Sequence, residues 1–336
     1  MKEVCVRASA LRGWQSRLRQ FGNAPECLAS FSSFPNCRTQ AETPLSLRTF
    51  VGFSEKVVRE TRDATIPWLI GTHYDIPSLG PVGNAVRQAT TVGSALRRLV
   101  DCFGLLQDCT DIRLECDERF ASLSYRILDP EIWPRHQDAM FSLGIMAQLI
   151  RAGRQDGWDQ VEFFFEASHS ELGGDMCRVV DAPCSFAGDT NMLRFPARLL
   201  DLRLHPQAAG GSANDISRMI VEKNRATPLA ERLAHVVYRD LDRLGIDQER
   251  IAREVGMSSR TMRRRLASEG SSFQQVLDEC RMRQAVFEFR TKPNLAIAQI
   301  ALRLGYAEHS TFTRAFHRWS GVSPQDYCER LVSRMN

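Results

Sequence analysis

The sequence predicts an α+β N-terminal domain joined to an all-α C-terminal domain with two helix-turn-helix subdomains. Three observations carry this. A chain of 336 residues suits two domains better than one. Between residues 46 and 205, segments of helical and of strand period are interleaved, as in α+β folds. Between residues 228 and 332, one pattern occurs twice. Ile251, Ala252, Val255 and Gly256 recur 49 residues later as Ile300, Ala301, Leu304 and Gly305. Thr261, Met262, Arg264 and Leu266 recur 50 residues later as Thr311, Phe312, Arg314 and Phe316. A helix, a glycine turn and a helix, repeated, is the pattern of a tandem helix-turn-helix.

From the N-terminus, residues 1–45 contain Pro25, Pro35, Pro44 and several serines with weak periodicity, and are expected to be poorly ordered. In the domain at 46–205, residues 47–60 and 92–106 have helical spacing, and 112–116, 121–128 and 160–166 read as strands. Residues 140–151 read as a helix between strands. A linker is expected at 206–227, because 208–214 are small and polar. A short helix is expected at 215–224 before Thr227-Pro228 opens the next domain.

In the domain at 228–332, Ile251, Ala252 and Val255 share one face of a short helix. Gly256 supplies the turn, where positive φ costs glycine little. Ser258 stands at the N-cap of the second helix, where its hydroxyl can satisfy a free amide. Met262 and Leu266 then face inward, leaving Ser259, Arg260, Arg263 and Arg264 for the outer face. In the second unit Phe312 and Phe316 face inward, and His309, Ser310, Thr313 and Arg314 outward. Arginine's fork of donors fits guanine O6 and N7, and Ser, Thr and His reach bases or phosphates. A lone arginine-rich helix is ordinarily a solvated face. Here the polar face recurs after a glycine turn in a related unit, which argues for groove contact.

The segment from about 230 to 330 resembles the DNA-binding domain of the AraC/XylS family of bacterial transcription regulators. The likeness rests on Gly256-Met257-Ser258, Arg263-Arg264-Arg265-Leu266, Glu269-Gly270, Ser272-Phe273, Ile297-Ala298-Gln299-Ile300-Ala301, Leu304-Gly305-Tyr306, Arg314-Ala315-Phe316, Arg318-Trp319 and Gly321-Val322-Ser323-Pro324. The resemblance implies a long linker helix over about 273–289, and two recognition helices entering successive major grooves. It assigns base reading to Arg260, Arg263 and Arg264 and to His309, Ser310, Thr313 and Arg314. It assigns core roles to Phe273, Ile297, Ile300, Leu304, Phe312, Phe316 and Trp319. One departure is Cys328 after Pro324-Gln325-Asp326-Tyr327, where the family commonly has arginine. More loosely, Gly80-Pro81-Val82-Gly83, Thr91-Val92-Gly93-Ser94 and the stretches 182–186 and 191–195 resemble the arabinose-binding-domain-like ligand domain of a branch that includes regulators of ornithine use and virulence. That implies a small-molecule effector, possible dimerisation and contact with RNA polymerase.

Charge agrees with a nucleic-acid reader. Residues 228–336 carry 18 Arg and Lys against 13 Asp and Glu, a net +5, whereas the whole chain is +4. The positive excess is therefore confined to the reader, as phosphate neutralisation requires. The first twenty residues carry five cations and no apolar run, and no segment approaches the roughly 20 apolar residues of a membrane span. Ten cysteines without close pairing fit reduced thiols in a cytoplasm. No zinc spacing, catalytic set or cofactor motif is recognised, and Gly80-x-x-Gly83 lacks the ending of a phosphate loop. Arg87, Arg97, Arg126, Arg178 and Arg194 are candidates for an anionic effector or for structural ion pairs. The expectation is a bacterial, cytoplasmic, sequence-specific DNA-binding transcription activator, not an enzyme, acting on double-stranded promoter DNA. Three alternatives stay open: a thiol sensor using Cys177 and Cys184, a constitutive DNA binder, and an enzyme fused to a reader.

Overall fold

The computed structural model describes residues 3–21, 25–153, 158–172, 176–206, 213–241 and 246–335. They fall into two units, Lys2–Ile127 with Ile132–Glu222, and Leu128–Glu131 with Lys223–Asn336. The first unit begins with strand β1 (Cys5–Arg7), helices α1 (Trp14–Phe21) and α2 (Pro25–Ser30), and strand β2 (Pro44–Ser46), which pairs antiparallel with β1. Within residues 1–45, expected to be poorly ordered, β1, α1 and α2 are regular elements, whereas 31–43 form only turns and bends. Leu11, Trp14, Leu18 and Cys27 are fully buried, and the Trp14 ring meets Phe50, Phe53 and Phe141 at 6.0, 5.6 and 5.5 Å. Their irregular spacing, interrupted by prolines, masks an apolar surface that only tertiary packing reveals.

Helices α3 (Leu47–Thr61), α4 (Ile66–Thr72), α5 (Pro81–Arg87) and α6 (Val92–Cys102) follow. Then come β3 (Thr110–Cys116), β4 (Phe120–Ile127), α7 (His136–Arg151), β5 (Glu162–Phe164), α8 (His169–Leu172), α9 (Met176–Val180), β6 (Cys184–Ser185) and β7 (Asn191–Pro196). The five-stranded sheet has the order β3-β4-β7-β5-β6, antiparallel except for the parallel pair β5–β6. Strict alternation along β4 puts Ala121, Leu123, Tyr125 and Ile127 on the buried face. Leu193 pairs with both Leu123 and Phe163, so one fully buried row crosses three strands. The strand expected at 160–166 is shorter, because Trp158–Gln160 forms a 3-10 turn.

Helix α7 is buried along nearly its whole length, every residue from His136 to Ile150 except Gln148. This explains its weak periodicity: a helix covered on all sides needs no polar stripe. It crosses α4 at a glycine pair. A Cβ on Gly144 would stand 2.9 Å from the Trp68 carbonyl oxygen and 3.0 Å from Gly71 Cα, so the backbones touch. Gly83, in the phosphate-loop-like motif, has the same packing role, since its Cβ would meet the Ile76 carbonyl oxygen at 2.0 Å.

Polar groups converge at the buried start of α7. The Tyr125 hydroxyl donates to Asp138 Oδ2 at 2.5 Å and accepts from Gln107 Nε2 at 2.8 Å. Arg135 donates twice to Glu166, at 3.0 and 2.6 Å. Burial pushes the Asp138 carboxyl up to about 7, against the Tyr125 hydrogen bond.

The expected linker residues 207–212 lie outside the described residues. Helix α10 (Ala213–Ala226) then carries the chain onward. The second unit contains α11 (Leu229–Arg239), α12 (Gln248–Glu254), α13 (Ser259–Ser268), α14 (Phe273–Thr291), α15 (Ile297–Arg303), α16 (His309–Ser320) and α17 (Pro324–Met335). Helix α14 covers the span expected of the linker helix. Among the described residues, no helix is long and apolar enough to cross a membrane.

Candidate nucleic-acid interface

The two turns are built alike. Gly256 and Gly305 have φ of +76° and +74°, a conformation that side chains resist. In each turn the next amide bonds back to the preceding helix: Met257 N to Ala252 O and Tyr306 N to Ala301 O, both 3.0 Å. This is the bonding expected of a helix closed by a left-handed residue. Helix α13 then starts at its Ser258 cap, whose hydroxyl accepts from Thr261 N at 3.2 Å. Helix α16 starts at Glu308, whose side chain makes no cap bond.

The repeat extends further upstream than the apolar pattern reveals. Arg232 in α11 donates to the Val255 carbonyl at 3.3 Å, and Arg281 in α14 to the Leu304 carbonyl at 3.1 Å. Both donor and acceptor are 49 residues apart between the units. Arg239 pairs with Glu254, and Glu288 pairs with Arg303 at 3.1 and 3.2 Å. These positions also differ by 49, with the charges exchanged. Helix α11 therefore corresponds to the second half of α14, and each subdomain is a three-helix unit. The exchange of signs hides this correspondence from a comparison of residue types.

Each core is filled from the predicted inward positions. Met262, Leu266, Phe312 and Phe316 are all 0% exposed. Phe289 packs on Phe316 at 5.4 Å, and Tyr327 on Phe316 at the same distance. Ile300 and Leu304 are buried, Phe273 nearly so, while Ile297 and Trp319 are half-buried against the second core. Cys328, where the family pattern has a cation, packs against this core as well.

The outward positions fall on two exposed faces. Arg260, Arg263 and Arg264 are exposed on α13, and Ser259 is half-exposed. Neither Arg260 nor Arg264 has a side-chain partner among the described residues; Arg263 Nε lies 3.4 Å from the Ser259 carbonyl oxygen. On α16, His309, Ser310 and Arg314 are exposed and Thr313 half-buried. Thr313 donates back to the His309 carbonyl at 3.1 Å, and Arg314 to Thr311 Oγ1 at 3.3 Å. The four chosen residues of each helix thus share one accessible side.

Several residues that hold this interface were not singled out as functional from the sequence. Thr311, His317 and Arg318 are also exposed on α16, and continuing the i+4 rows from His309 and Ser310 would have reached the last two. Arg318 donates to Asp278 at 2.9 Å. Glu269, at the end of α13, accepts from the Leu229 and Ala230 amides at 3.0 and 3.1 Å. A remote carboxylate thereby caps α11, with the favourable sign for a helix N-terminus. Asp240 is fully buried and bonded by Arg239 and Arg250, at 3.0 and 2.7 Å. Burial raises its carboxyl, but these bonds outweigh it and hold the group at about 2.

In the N-terminal unit, Arg126 lies 3.9 Å from Asp111 and Arg194 3.5 Å from Glu162. Both have structural partners, as the ion-pair reading has it. Cys177 is exposed on α9 and Cys184 half-buried on β6, both free thiols.

Residues 35–204 match the family model described as the arabinose-binding domain of AraC transcription regulator, N-terminal. Residues 251–330 match a model described as a helix-turn-helix domain. The chain is 25% identical over 335 residues to the HTH-type transcriptional regulator VirS of Mycobacterium tuberculosis, covering 96% of each chain. It is 46% identical over 83 residues to the ornithine utilization regulator of Pseudomonas aeruginosa, 25% of this chain and 24% of that one. The crystal structure of the transcriptional regulator CdpR from Pseudomonas aeruginosa aligns with a TM-score of 0.38 at 24% identity, covering 85% of this chain and 93% of that one.

Proposed function

The chain belongs to the AraC family of DNA-binding transcription regulators, and from that premise we propose how it works: α13 and α16 each read bases in a major groove, and a small effector bound by the N-terminal unit controls the outcome. The observation that carries the reading proposal is the repeat itself. Two turns with the same hydrogen bonds present two exposed polar faces, and Arg260 and Arg264 on the first have no side-chain partner to release among the described residues. Arg260, Arg263 and Arg264, beside Ser259, are the first reader's contacts. His309, Ser310, Thr313 and Arg314 are the second's. Guanine is the natural target of the arginines, through O6 and N7.

The effector proposal rests on the arabinose-binding-domain family at residues 35–204. The regulator then acts in the cytoplasm on promoter DNA as an activator, alone or as a homodimer, placing itself where it contacts RNA polymerase. Arg263→Ala and Arg264→Ala are each expected to weaken specific binding by roughly 1–3 kcal/mol, with a much smaller loss on random DNA. Competition binding at fixed salt checks this, and equal losses on both DNAs would reduce the two residues to phosphate contacts. Footprinting with and without a small-molecule extract of the host tests the effector: protection that ignores every fraction contradicts it.

A further inference from the structure

The repeat runs one element beyond the two turns. Ser272, Gln274 and Asp278 at the start of α14 recur 51 residues later as Ser323, Gln325 and Glu329 at the start of α17. Their bonds recur as well. Ser272 Oγ accepts from Gln275 N at 3.2 Å, and Ser323 Oγ from Asp326 N at 3.1 Å. Gln274 Nε2 donates to Asp278 Oδ1 at 2.8 Å, and Gln325 Nε2 to Glu329 Oε1 at 3.3 Å. The first half of α14 therefore closes the first subdomain as α17 closes the second. In that half, the Cys280 thiol lies 3.9 Å from the Ala234 carbonyl of α11. The second half, with Ala285 and Phe289, belongs to the core of the second subdomain. One helix is thus shared by both.

The contact between Arg318 and Asp278 does not belong to the repeat. Arg318, near the end of α16, donates to Asp278 Oδ2 at 2.9 Å. The bond runs from the reader helix of the second subdomain to the half of α14 that closes the first. The counterpart of Arg318, 50 residues earlier, is Ser268, whose hydroxyl donates to the Arg265 carbonyl of its own helix at 2.6 Å. Asp278 is a fixed post: Gln274 holds Oδ1, and the side chain is only 21% exposed. Arg318, 63% exposed, closes the contact from the solvent side. Long helices curve, and a tie from the first half of α14 to α16 limits how far the second reader swings as this one does. An exposed pair biases an equilibrium by about fivefold at most, which tunes a geometry without creating it.

We propose that Asp278 and Arg318 form a strut that sets the spacing and phase at which the two readers meet the duplex. Asp278 is then a positioning residue for DNA recognition: it reads no base and acts through Arg318 on where α16 lies. This deepens the two-reader proposal and rests on it. One extra base pair moves the second target about 3.4 Å along the duplex and about 35° around it. A tied second reader loses its base contacts there, and an untied one recovers part of them. A phosphate contact through Arg318 would behave differently. It would add affinity at every spacing, and the Asp278 carboxylate would oppose it.

The test uses the full chain, the tightest duplex it selects from random DNA, and that duplex with one base pair inserted midway between its two guanine patches. Fluorescence anisotropy at fixed salt gives the ratio of the two Kd values, in which any loss of folded protein cancels. The unaltered chain should bind the lengthened duplex about tenfold or more weakly. Asp278→Ala and Arg318→Ala should each shrink that ratio by about three- to fivefold, and Arg318→Lys should preserve it. A ratio that Asp278→Ala leaves unchanged overturns the strut and leaves the two readers standing. Equal weakening on both duplexes by Arg318→Ala, with tightening on both by Asp278→Ala, assigns Arg318 to phosphate and overturns it too. An unaltered chain that is indifferent to the insertion, or that selects a duplex with a single guanine patch, removes the two-reader proposal and the strut with it.

Discussion

Asp138 is wholly buried at the start of α7, with Oδ2 held by Tyr125 and Oδ1 without a hydrogen-bond partner among the described residues. Burial, with the nearby Glu55 charge, raises its carboxyl to about 7 and outweighs the opposing Arg135 charge. An unfolded chain releases this proton near 3.9. The folded state therefore holds a proton that the unfolded state has lost, and stability falls as pH rises from about 4 to about 7, then levels off. Asp138→Asn removes this dependence. The melting curve of the full chain, compared with the variant between pH 4 and 8, should diverge by at most about 1.4 kcal/mol per pH unit; a difference flat across that range would contradict the assignment. Asp240 behaves in the opposite sense. Its folded carboxyl sits near 2, so its contribution is present above about pH 4 and is lost as pH falls toward 2.

At the scale of elements, the α4–α7 crossing depends on two glycines in backbone contact. Gly144→Ala should cost about 1–3 kcal/mol, as overpacking does, because its Cβ would meet the α4 main chain at Trp68 and Gly71. Urea denaturation measures this, and an unchanged midpoint would show that the helices can separate freely. The reversed ion pairs predict unequal costs. Glu288 is buried and holds Arg303, Gln284 and Lys292, so Glu288→Ala should cost about 2 kcal/mol. Glu254→Ala should cost under about 1 kcal/mol, because Asp240 still holds Arg239 and Arg250. Equal losses in paired denaturation curves would contradict this account. These elements also mark where the sequence was legible. Met262, Leu266, Phe312 and Phe316 stood out because an amphipathic helix writes its core face into its spacing. Helix α7 was only partly legible, since burial on all sides removes the polar stripe. Strand β7 went unassigned despite its alternating Asn191–Pro196 pattern, because its two pairing strands are distant in sequence. The upstream part of the repeat was lost to exchanged charges at Arg239/Glu288 and Glu254/Arg303.

At the scale of the whole molecule, the central claim is that one chain carries two sequence readers. Two adjacent major-groove segments on one face of a duplex lie about 34 Å apart, or about 10 base pairs. The first reader is rich in arginine; the second offers Arg314 with His309, Ser310 and Thr313, its Arg318 being engaged by Asp278, and has Glu308 exposed at its start. A second helix that merely held phosphates would contribute affinity without sequence preference. Methylation interference on a bound operator separates the two cases directly. Two guanine patches about 10 base pairs apart, with the second abolished by Arg314→Ala, is the result this account predicts. A single patch that Arg314→Ala leaves unchanged would contradict it.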